Sequence, residues 1–283
     1  MVPRSVVIPE VFSTLQIPRS DIPCDLMNDI LRNIFLIEVT ANTTRRINFL
    51  SSLINAQNYL EIGVCTGKVF NQMTFPGTKV AVDPVFKFDT TKFSNPNTLF
   101  FECSSDHFFE QYAGNISFDI VFIDGLHTYD QTFADLCNVL LLCKNSSFIL
   151  IDDTFPSDQF SALRSQRLCG LRRRESLGWR EKVPSAWHGD TYKIMYLINF
   201  YLRSFDYATI FGSGNPQTLL WKKSLYRQGE EAPFNRFSQP KLLFSLTEKF
   251  ESLNYFKTME CYEEIFQKVA EQKLFDYLKN SRI

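Results

Sequence analysis

Two glycines and two carboxylates early in the chain have the types and spacing of a site for an adenosine-containing cofactor. The segment 59–67, Tyr-Leu-Glu-Ile-Gly-Val-Cys-Thr-Gly, runs from short apolar residues into Glu61 and then places glycines at 63 and 67. This pattern predicts a buried parallel strand that ends in a tight turn, where the backbone approaches a ligand closely. A second apolar run ends at Asp83, about 20 residues beyond the turn, where an acid can accept hydrogen bonds from a ribose.

Carboxylates also end later strand-like runs, and they predict an acidic edge in the folded sheet. Asp124 follows Phe-Asp-Ile-Val-Phe-Ile, and Asp152 and Asp153 follow Ile-Leu-Ile. The ligand crevice of an open parallel sheet lies outside the carboxyl ends of its strands, so these acids should meet there. Carboxylates gathered in one place are costly unless a cation or hydrogen-bond donors compensate them. Oxygen atoms of Asp124, Asp152 and Asp153 could hold a hard divalent cation such as Mg²⁺.

Strand-like and helical patterns alternate along the chain and predict the elements that position these residues. The apolar runs are about five residues long, and each ends at an acid: Glu61, Asp83, Glu102, Asp124 and Asp152. The clearest connecting helix is expected over 128–143, with Thr128-Tyr-Asp-Gln131 as a capping box at its start. Strands that alternate with helices indicate a parallel sheet with right-handed crossovers.

Further elements flank this alternating region. Periodic apolar residues predict helices over 24–37, 42–55 and 190–204, and an amphipathic helical tail over about 241–280. Two strands near 206–212 and 217–223, joined by Gly-Ser-Gly-Asn-Pro, predict a hairpin. The stretch 155–188 is expected to be irregular. It contains a basic cluster that could clamp a phosphate or carboxylate of the acceptor or form a solvated helix face: Arg164, Arg167, Arg172, Arg173, Arg174, Arg180 and Lys182.

The composition excludes several classes of partner. A formal charge of −1 gives no field that favours nucleic acid or an anionic membrane. No apolar run approaches the roughly 18 residues of a membrane span, and the first ten residues lack the uninterrupted apolar region of a signal peptide. The seven cysteines form no Cys-x-x-Cys pair. We therefore expect a protein of the reducing cytoplasm with a small-molecule partner and neither nucleic acid nor membrane as partner.

The motifs resemble those of the class I S-adenosylmethionine-dependent methyltransferases over roughly residues 40–223. The segment 61–67 resembles their first motif, Asp83 their ribose-binding acid, and Phe101-Glu-Cys-Ser104-Ser105-Asp106 the segment that meets the adenine. Ile-Asp-Gly-Leu-His-Thr-Tyr-Asp at 123–130 is typical of a bacterial-type subgroup that acts on small molecules and sugars. The resemblance implies S-adenosylmethionine as cofactor, held by the following residues: Glu61, Gly63, Cys65, Gly67, Asp83, Ser104, Ser105 and Asp124.

The acidic positions are also similar to those of the metal-dependent catechol O-methyltransferase type. In that type an acid ends the fourth strand and an acidic pair or Asp-Asn ends the fifth, which implies Asp124, Asp152 and Asp153 as magnesium ligands. The catalytic lysine of that type lies three residues after the first acid, and His127 stands there in this chain. An imidazole can act as a general base near neutral pH. We therefore expect His127 and Asp124 to be catalytic, with His127 or a metal-bound water taking the proton.

The resemblance implies an α/β fold: a Rossmann-like doubly wound sheet of about seven strands, mostly parallel, with an antiparallel C-terminal hairpin and terminal helices. We expect an N-terminal arm with helices over 1–56, a cofactor-binding core over 57–225 and a helical extension over 226–283. The terminal helices could cover the pocket or build a homodimer interface.

The leading interpretation is O-methylation of a small molecule or sugar. A metal-dependent hydroxylase-like relative and a non-catalytic cofactor-binding protein are the alternatives. A nicotinamide oxidoreductase is disfavoured because Cys65 replaces the middle glycine of the dinucleotide fingerprint. His188 is expected at a surface loop, with a substrate contact or metal ligation as the other possibilities, and His107 is expected to be structural.

Overall fold

The computed structural model describes residues 42–114, 116–177, 186–212, 214–223, 253–260 and 265–281. These ranges leave out the helix predicted over 24–37, most of the predicted N-terminal arm, parts of the tail predicted over 241–280, and the basic residues Arg180 and Lys182. The predicted division of the chain into regions 1–56, 57–225 and 226–283 therefore stays a prediction.

One sheet of eight strands organises the described part of the chain. Its strands are β1 (Asn58–Ile62), β2 (Thr78–Asp83), β3 (Thr98–Glu102), β4 (Phe118–Ile123), β5 (Cys143–Ile151), β6 (Phe205–Phe211), β7 (Gln217–Lys222) and β8 (Lys268–Ala270). The order across the sheet is β3-β2-β1-β4-β5-β7-β6-β8. Strands β1 to β5 pair in parallel, and β7 runs antiparallel between β5 and β6. The predicted α/β class and C-terminal hairpin are confirmed.

The eighth strand comes from a segment that was predicted to be helical. Residues 268–270 pair in parallel with Thr209, Ile210 and Phe211 at the end of β6. Lys-Val-Ala is too short to show a period of two, so its pattern merges with that of the following helix. The edge of the sheet beyond the hairpin is thereby extended by the C-terminal part of the chain.

Helices cover the sheet and connect its strands. They are α1 (42–54), α2 (Lys68–Gln72), α3 (Ser105–Gln111), α4 (Tyr129–Leu142), α5 (Gln166–Leu177), α6 (Ile194–Tyr201), α7 (Tyr255–Glu260) and α8 (Glu271–Asn280). Helix α5 lies in the stretch 155–188, so the prediction that this stretch is irregular is wrong there. The sequence pattern missed the helix because its arginines and glutamate outnumber its apolar residues and obscure the helical period. Across the described ranges, none of these helices has the length and apolar character needed to cross a membrane.

The start of α4 is held differently from the predicted capping box. Thr128 precedes the helix but makes no side-chain cap hydrogen bond. The backbone N–H of Tyr129 instead donates to the carboxylate of Asp190, 3.1 Å away. Gln131 turns its amide toward Asp106 on α3, with an Nε2–Oδ1 distance of 3.0 Å. The capping box prediction is wrong because an acid distant in sequence occupies the helix terminus.

Apolar side chains on both faces of the sheet form two clusters that hold the strands in place. All six residues of β4 are buried, as expected for a central strand of a sheet covered on both sides. Leu60 and Val121 belong to one cluster, and Tyr59 and Phe122 belong to the other. Each fully buried Leu, Val or Phe contributes about 1.5–3 kcal/mol relative to an exposed one. The ends of β1, β2 and β4 are therefore fixed before any ligand arrives.

A buried ion pair joins α1 to α8 beside the start of β7. Arg46 is fully buried, and its Nε donates to a carboxylate oxygen of Glu271 at 2.7 Å. Its Nη1 donates to Gln217 Oε1 at 2.7 Å and to the carbonyl of Asn215 at 3.0 Å. Arg45 also pairs with Glu271. This network connects both termini of the described chain to the loop before β7.

Replacing Glu271 with alanine should lower the free energy of unfolding by about 3–5 kcal/mol, because a buried guanidinium loses its partner. Urea denaturation monitored by circular dichroism measures the change. The double variant Arg46→Met/Glu271→Leu should lose less than the sum of the single variants. The control Arg172→Ala removes an exposed pair with Glu175 and should cost about 0–1 kcal/mol. Equal losses for Glu271→Ala and Arg172→Ala would contradict a structural role for the buried pair.

Candidate functional site

The predicted glycine turn forms where β1 meets β4. Gly63 has a φ of +86°, and a Cβ built on it would lie 1.9 Å from the carbonyl oxygen of Asp124. Its N–H donates to the carbonyl of Val82 at 2.9 Å. Gly67 has a φ of +71° and precedes α2. A side chain at position 63 would therefore push the turn away from the acid that ends β4.

Asp83 fixes this turn from the end of β2. One carboxylate oxygen accepts the N–H of Cys65 at 2.8 Å, and the other accepts the N–H of Val85 at 2.8 Å. Each carboxylate oxygen has lone pairs beyond the one used here. The side chain therefore stabilises the glycine turn and keeps acceptor capacity toward the space beside it.

A pocket of about 620 Å³ opens beside the turn at the carboxyl ends of the strands. Its wall contains six of the eight predicted cofactor residues: Gly63, Cys65, Asp83, Ser104, Ser105 and Asp124. His127 also lines it. Glu61 and Gly67 lie behind the wall, in β1 and at the start of α2. The roles assigned to all eight residues stay predictions.

Glu61 is buried beneath the pocket rather than within its wall. Only 2% of the residue is exposed, and its Oε2 accepts a hydrogen bond from the hydroxyl of Tyr59 at 2.6 Å. Burial raises the pKa of Glu61 to about 8. The carboxyl group is therefore mostly neutral at pH 7, although it sits at the position predicted to bind the cofactor.

Three predicted site residues converge at the opposite side of the pocket. Donor atoms of Asp124, His127 and Asp153 all lie within 4.8 Å of one another. The Nδ1 of His127 is 2.6 Å from Oδ2 of Asp153. Burial and the nearby charges of Asp152 and Asp153 raise the pKa of Asp124 well above its usual value. The arrangement is a cleft lined by carboxyl groups with one imidazole bonded into it.

Asp152 and Asp153 share a partner in Asn215, whose side-chain amide donates to Oδ1 of each. The Oδ1 of Asp152 also accepts the backbone N–H of Asp153 at 2.8 Å. Burial and the neighbouring Asp153 raise the pKa of Asp152 to about 7. Burial opposes ionisation of Asp153 too, but the hydrogen bond from His127 lowers its pKa. The predicted role of Asp152 as a metal ligand stays a prediction.

The backbone at two members of the cluster adopts the left-handed region. His127 has a φ of 58° and Asp153 a φ of 55°. Such residues cost of order 1–3 kcal/mol each and cluster at functional sites. Gly189 packs so closely that a Cβ there would lie 1.7 Å from the carbonyl oxygen of His127. The surrounding chain therefore holds His127 in a conformation that it would not adopt by itself.

The segment 187–190 covers the cluster. The indole of Trp187 packs edge to face on the imidazole of His127, with 5.0 Å between the ring centroids. The indole Nε1 donates to the carbonyl of Leu163 at 2.7 Å. His188 is only 6% exposed, and its Nε2 lies 3.8 Å from Oδ1 of Asp153. The prediction of a surface position for His188 is wrong, because this segment folds inward over the ends of β4 and β5.

Sequence reasoning missed one buried acid in the pocket wall. Asp135 on α4 is 1% exposed, and burial raises its pKa to about 6. Its Oδ1 accepts the amide of Gln131 at 3.1 Å, and the same amide lies 3.3 Å from Ser105 Oγ. A signal was present: Thr128, Thr132, Asp135 and Val139 are spaced by three and four residues and share one buried helix face.

The basic cluster is largely paired within the protein. Arg164 binds both carboxylate oxygens of Asp130, at 2.8 and 2.7 Å, and Arg173 binds both oxygens of Asp158, at 2.9 and 2.8 Å. Arg173 is buried, which places it in the protein interior rather than on a solvated face. These two guanidinium groups already have carboxylate partners, so they give little support to a phosphate clamp.

Comparison with known proteins agrees with this geometry. Residues 60–154 match the model of a protein family described as a methyltransferase domain. The match runs from β1 through the pocket and the acidic pair that follows β5. It confirms the methyltransferase resemblance of the motifs within these residues. No protein of curated function matches the sequence.

Several solved structures resemble the fold. Cofactor-bound Rv0187 from MTB is 14% identical over 75% of this chain and 85% of that chain, with a TM-score of 0.45. An O-methyltransferase from Bacillus cereus in complex with SAH is 15% identical over 75% and 94%, with a TM-score of 0.44. An O-methyltransferase family protein from Burkholderia thailandensis is 15% identical over 73% and 60%, with a TM-score of 0.43. At these scores the likenesses carry no argument about the acceptor or a metal.

The buried acid Glu61 should make stability depend on pH in a way that Glu61→Gln removes. The folded protein keeps the Glu61 proton up to about pH 8, whereas the unfolded chain releases it near 4.5. Stability present below pH 4.5 is therefore lost as the pH rises toward 8, by at most about 1.4 kcal/mol per pH unit for one proton. Urea unfolding at several pH values should show the wild type falling relative to Glu61→Gln.

The matched control is Glu102→Gln, which removes an exposed strand-end carboxylate from β3. Its stability difference from the wild type should stay constant over the same pH range. A Glu61→Gln profile that runs parallel to the wild type would contradict a neutral, buried Glu61.

Proposed function

We propose that this protein transfers the methyl group of S-adenosylmethionine to an oxygen of a small-molecule acceptor, with sugars and catechols as the first classes to test. The observation that carries the proposal is the pocket at the strand ends, whose wall holds six predicted cofactor residues and the Asp124–His127–Asp153 cluster. The matching methyltransferase domain spans the same residues.

The pocket suits a nucleoside cofactor in size and in the polar groups it offers. Its volume of about 620 Å³ falls within the roughly 300–1,000 Å³ of ligand sites. Asp83 presents carboxylate oxygens for a ribose, and its side chain is already oriented by two backbone N–H groups. Ser105 and Asp135 line the α3–α4 side, where donors and acceptors can meet a base. These features support S-adenosylmethionine as the cofactor.

When bound, the cofactor supplies an electrophilic methyl group on a sulfonium sulfur. The protein must then align the acceptor oxygen in line with that methyl group and keep water away, and alignment alone can lower a barrier by several kcal/mol. Asp124 belongs both to the wall of the cofactor pocket and to the acidic cluster. It therefore lies between the site of the methyl donor and the group that takes the acceptor's proton. Trp187 and Gly189 hold His127 in place beside it.

The Asp124–His127–Asp153 cluster supplies the group that takes the acceptor's proton. The acceptor forms an O–C bond while the methyl C–S bond breaks, and the hydroxyl proton leaves toward the cluster. Its carboxylates stabilise the positive charge that the proton brings. A divalent ion held there by Asp124 and Asp153, with Asp152 as a predicted further ligand, would lower the pKa of a coordinated hydroxyl.

A hydroxylase-like enzyme of the same fold is the second candidate. The observation that favours it is the presence of two imidazoles, His127 and His188, beside Asp153. Such an enzyme would need dioxygen and a reductant as co-reactants. Incorporation of oxygen into the acceptor, without any label from the cofactor's methyl group, would select this candidate over methyl transfer.

Transfer of an isotopically labelled methyl group from S-adenosylmethionine to a panel of sugars, catechols and other hydroxyl compounds tests the proposal. His127→Ala should lower kcat by about 10²–10⁴ with the best acceptor, because loss of a proton-transfer group has effects of that size. Its affinity for S-adenosylhomocysteine should change little. The control His107→Ala lies on the exposed side of α3 and should retain wild-type activity.

Wild-type activity in His127→Ala would contradict the assignment of the cluster to proton removal. Absence of label in every acceptor, in protein that binds S-adenosylhomocysteine, would instead favour the hydroxylase-like or the non-catalytic alternative.

A further inference from the structure

We infer that Asp124, His127, Asp153 and His188 form a metal centre of mixed imidazole and carboxylate donors, which takes a divalent transition-metal ion in preference to Mg²⁺. This inference rests on the proposed function only for the role of the ion, which is to orient and acidify the acceptor hydroxyl. The four residues differ from the all-oxygen trio that the sequence predicts, because two imidazoles enter the set.

The separations fit ligands that share one ion. Two atoms that are each about 2.1 Å from a metal ion lie at most about 4.2 Å apart. His127 Nδ1 and Asp153 Oδ2 are 2.6 Å apart, and His188 Nε2 and Asp153 Oδ1 are 3.8 Å apart. Donor atoms of Asp124, His127 and Asp153 lie within 4.8 Å of one another, and His188 approaches this group through Asp153. A shared ion therefore requires side-chain rotations that bring the donor atoms of Asp124 and His188 within the roughly 4.2 Å limit.

His188 provides the independent observation. It is only 6% exposed, and its Nε2, the ring nitrogen nearest the cluster, lies 3.8 Å from Oδ1 of Asp153, too far for a hydrogen bond. Its Nδ1 also has no hydrogen-bond partner among the described residues. A buried polar side chain that makes no hydrogen bond at the cluster is costly, and an ion there would bind its Nε2. The backbone N–H of His188 donates to the carbonyl of Ser161 at 3.0 Å, which fixes the residue at the cluster.

The charge of the cleft also calls for a cation. Asp124, Asp152 and Asp153 meet at the ends of two adjacent strands, and the ion pairs seen for Asp153 are with His127 and His188. Asp152 is held by the neutral amide of Asn215. Three carboxylates gathered at one place are costly without compensation, and a divalent ion would let all three act as oxygen donors.

The donor types decide which ion fits. Mg²⁺ prefers near-ideal octahedral coordination by oxygen atoms, whereas imidazole ligands suit Zn²⁺, Fe²⁺ and Ni²⁺. The affinity of a given site for divalent ions generally rises from Mn²⁺ to Cu²⁺. The left-handed backbone at His127 and Asp153 fixes the positions of one nitrogen and one oxygen donor. A site with two imidazoles and two carboxylates therefore favours ions such as Co²⁺ and Zn²⁺ over Mg²⁺.

The test is titration of metal-depleted full-length protein with Co²⁺, followed by visible absorption, and calorimetry with Co²⁺, Zn²⁺ and Mg²⁺. We expect one Co²⁺ per chain with a visible band of nitrogen–oxygen ligation, and an affinity at least about tenfold above that for Mg²⁺. His188→Ala should weaken Co²⁺ binding about 10- to 100-fold. His188→Gln should do the same while it preserves side-chain volume, and His107→Ala is the matched control.

Equal affinity for Co²⁺ and Mg²⁺, or Co²⁺ binding unchanged in both His188 variants, would overturn the mixed donor set. Absence of any metal binding would overturn the centre and leave His127 and Asp153 as a hydrogen-bonded pair. Binding of S-adenosylhomocysteine, measured on the same samples, separates the two proposals. Protein that binds this compound but no metal loses only the inference, whereas protein that does not bind it loses the proposed function as well.

Discussion

The close approach of the ends of β1 and β4 is the constraint on which the site depends. The N–H of Asp124 donates to the carbonyl of Ile62 at 2.8 Å. The carbonyl of Asp124 lies so close to Gly63 that position 63 has no room for a side chain. This contact brings the glycine turn and the acidic cluster to one opening. If the two ends moved apart, the pocket would lose the wall in which Asp124 faces both the cofactor residues and His127.

The carboxylates near this opening are compensated by different groups. Asp83 accepts two backbone N–H groups, and Glu61 avoids ionisation through burial and the bond from Tyr59. Asp153 is bonded to an imidazole, and Asp152 accepts the Asn215 amide. Asp124 lines the pocket itself, where what binds can complete its environment. This difference is the physical reason to propose reaction chemistry for Asp124 and support of the structure for Glu61.

The sequence predicted the elements whose residues repeat with a clear period or that end at a marked turn. The glycine turn, the central strands and the pairing of β6 with β7 belong to this group, because apolar runs and glycines are direct signals of buried strands and tight turns. Helix α5 was missed because its composition is mostly polar. The inward position of His188 was missed because it follows from how segment 187–190 packs on β4 and β5, which no local pattern records. Asp135 lay on a helix face whose spacing was visible, but a single acid among apolar neighbours gives no sign of which pocket it enters.

Calorimetric titration of the purified protein with S-adenosylhomocysteine tests the central claim most directly. The account predicts micromolar binding by the wild type and a loss of about 10- to 100-fold in Asp83→Ala, since hydrogen bonds to a charged group contribute about 1.5–3 kcal/mol. Asp89→Ala, which removes an exposed acid from the same connection after β2, should bind like the wild type. Circular dichroism would confirm that both variants are folded. Absence of binding by the wild type, or equal affinity in folded Asp83→Ala, would contradict the assignment of this pocket to the cofactor.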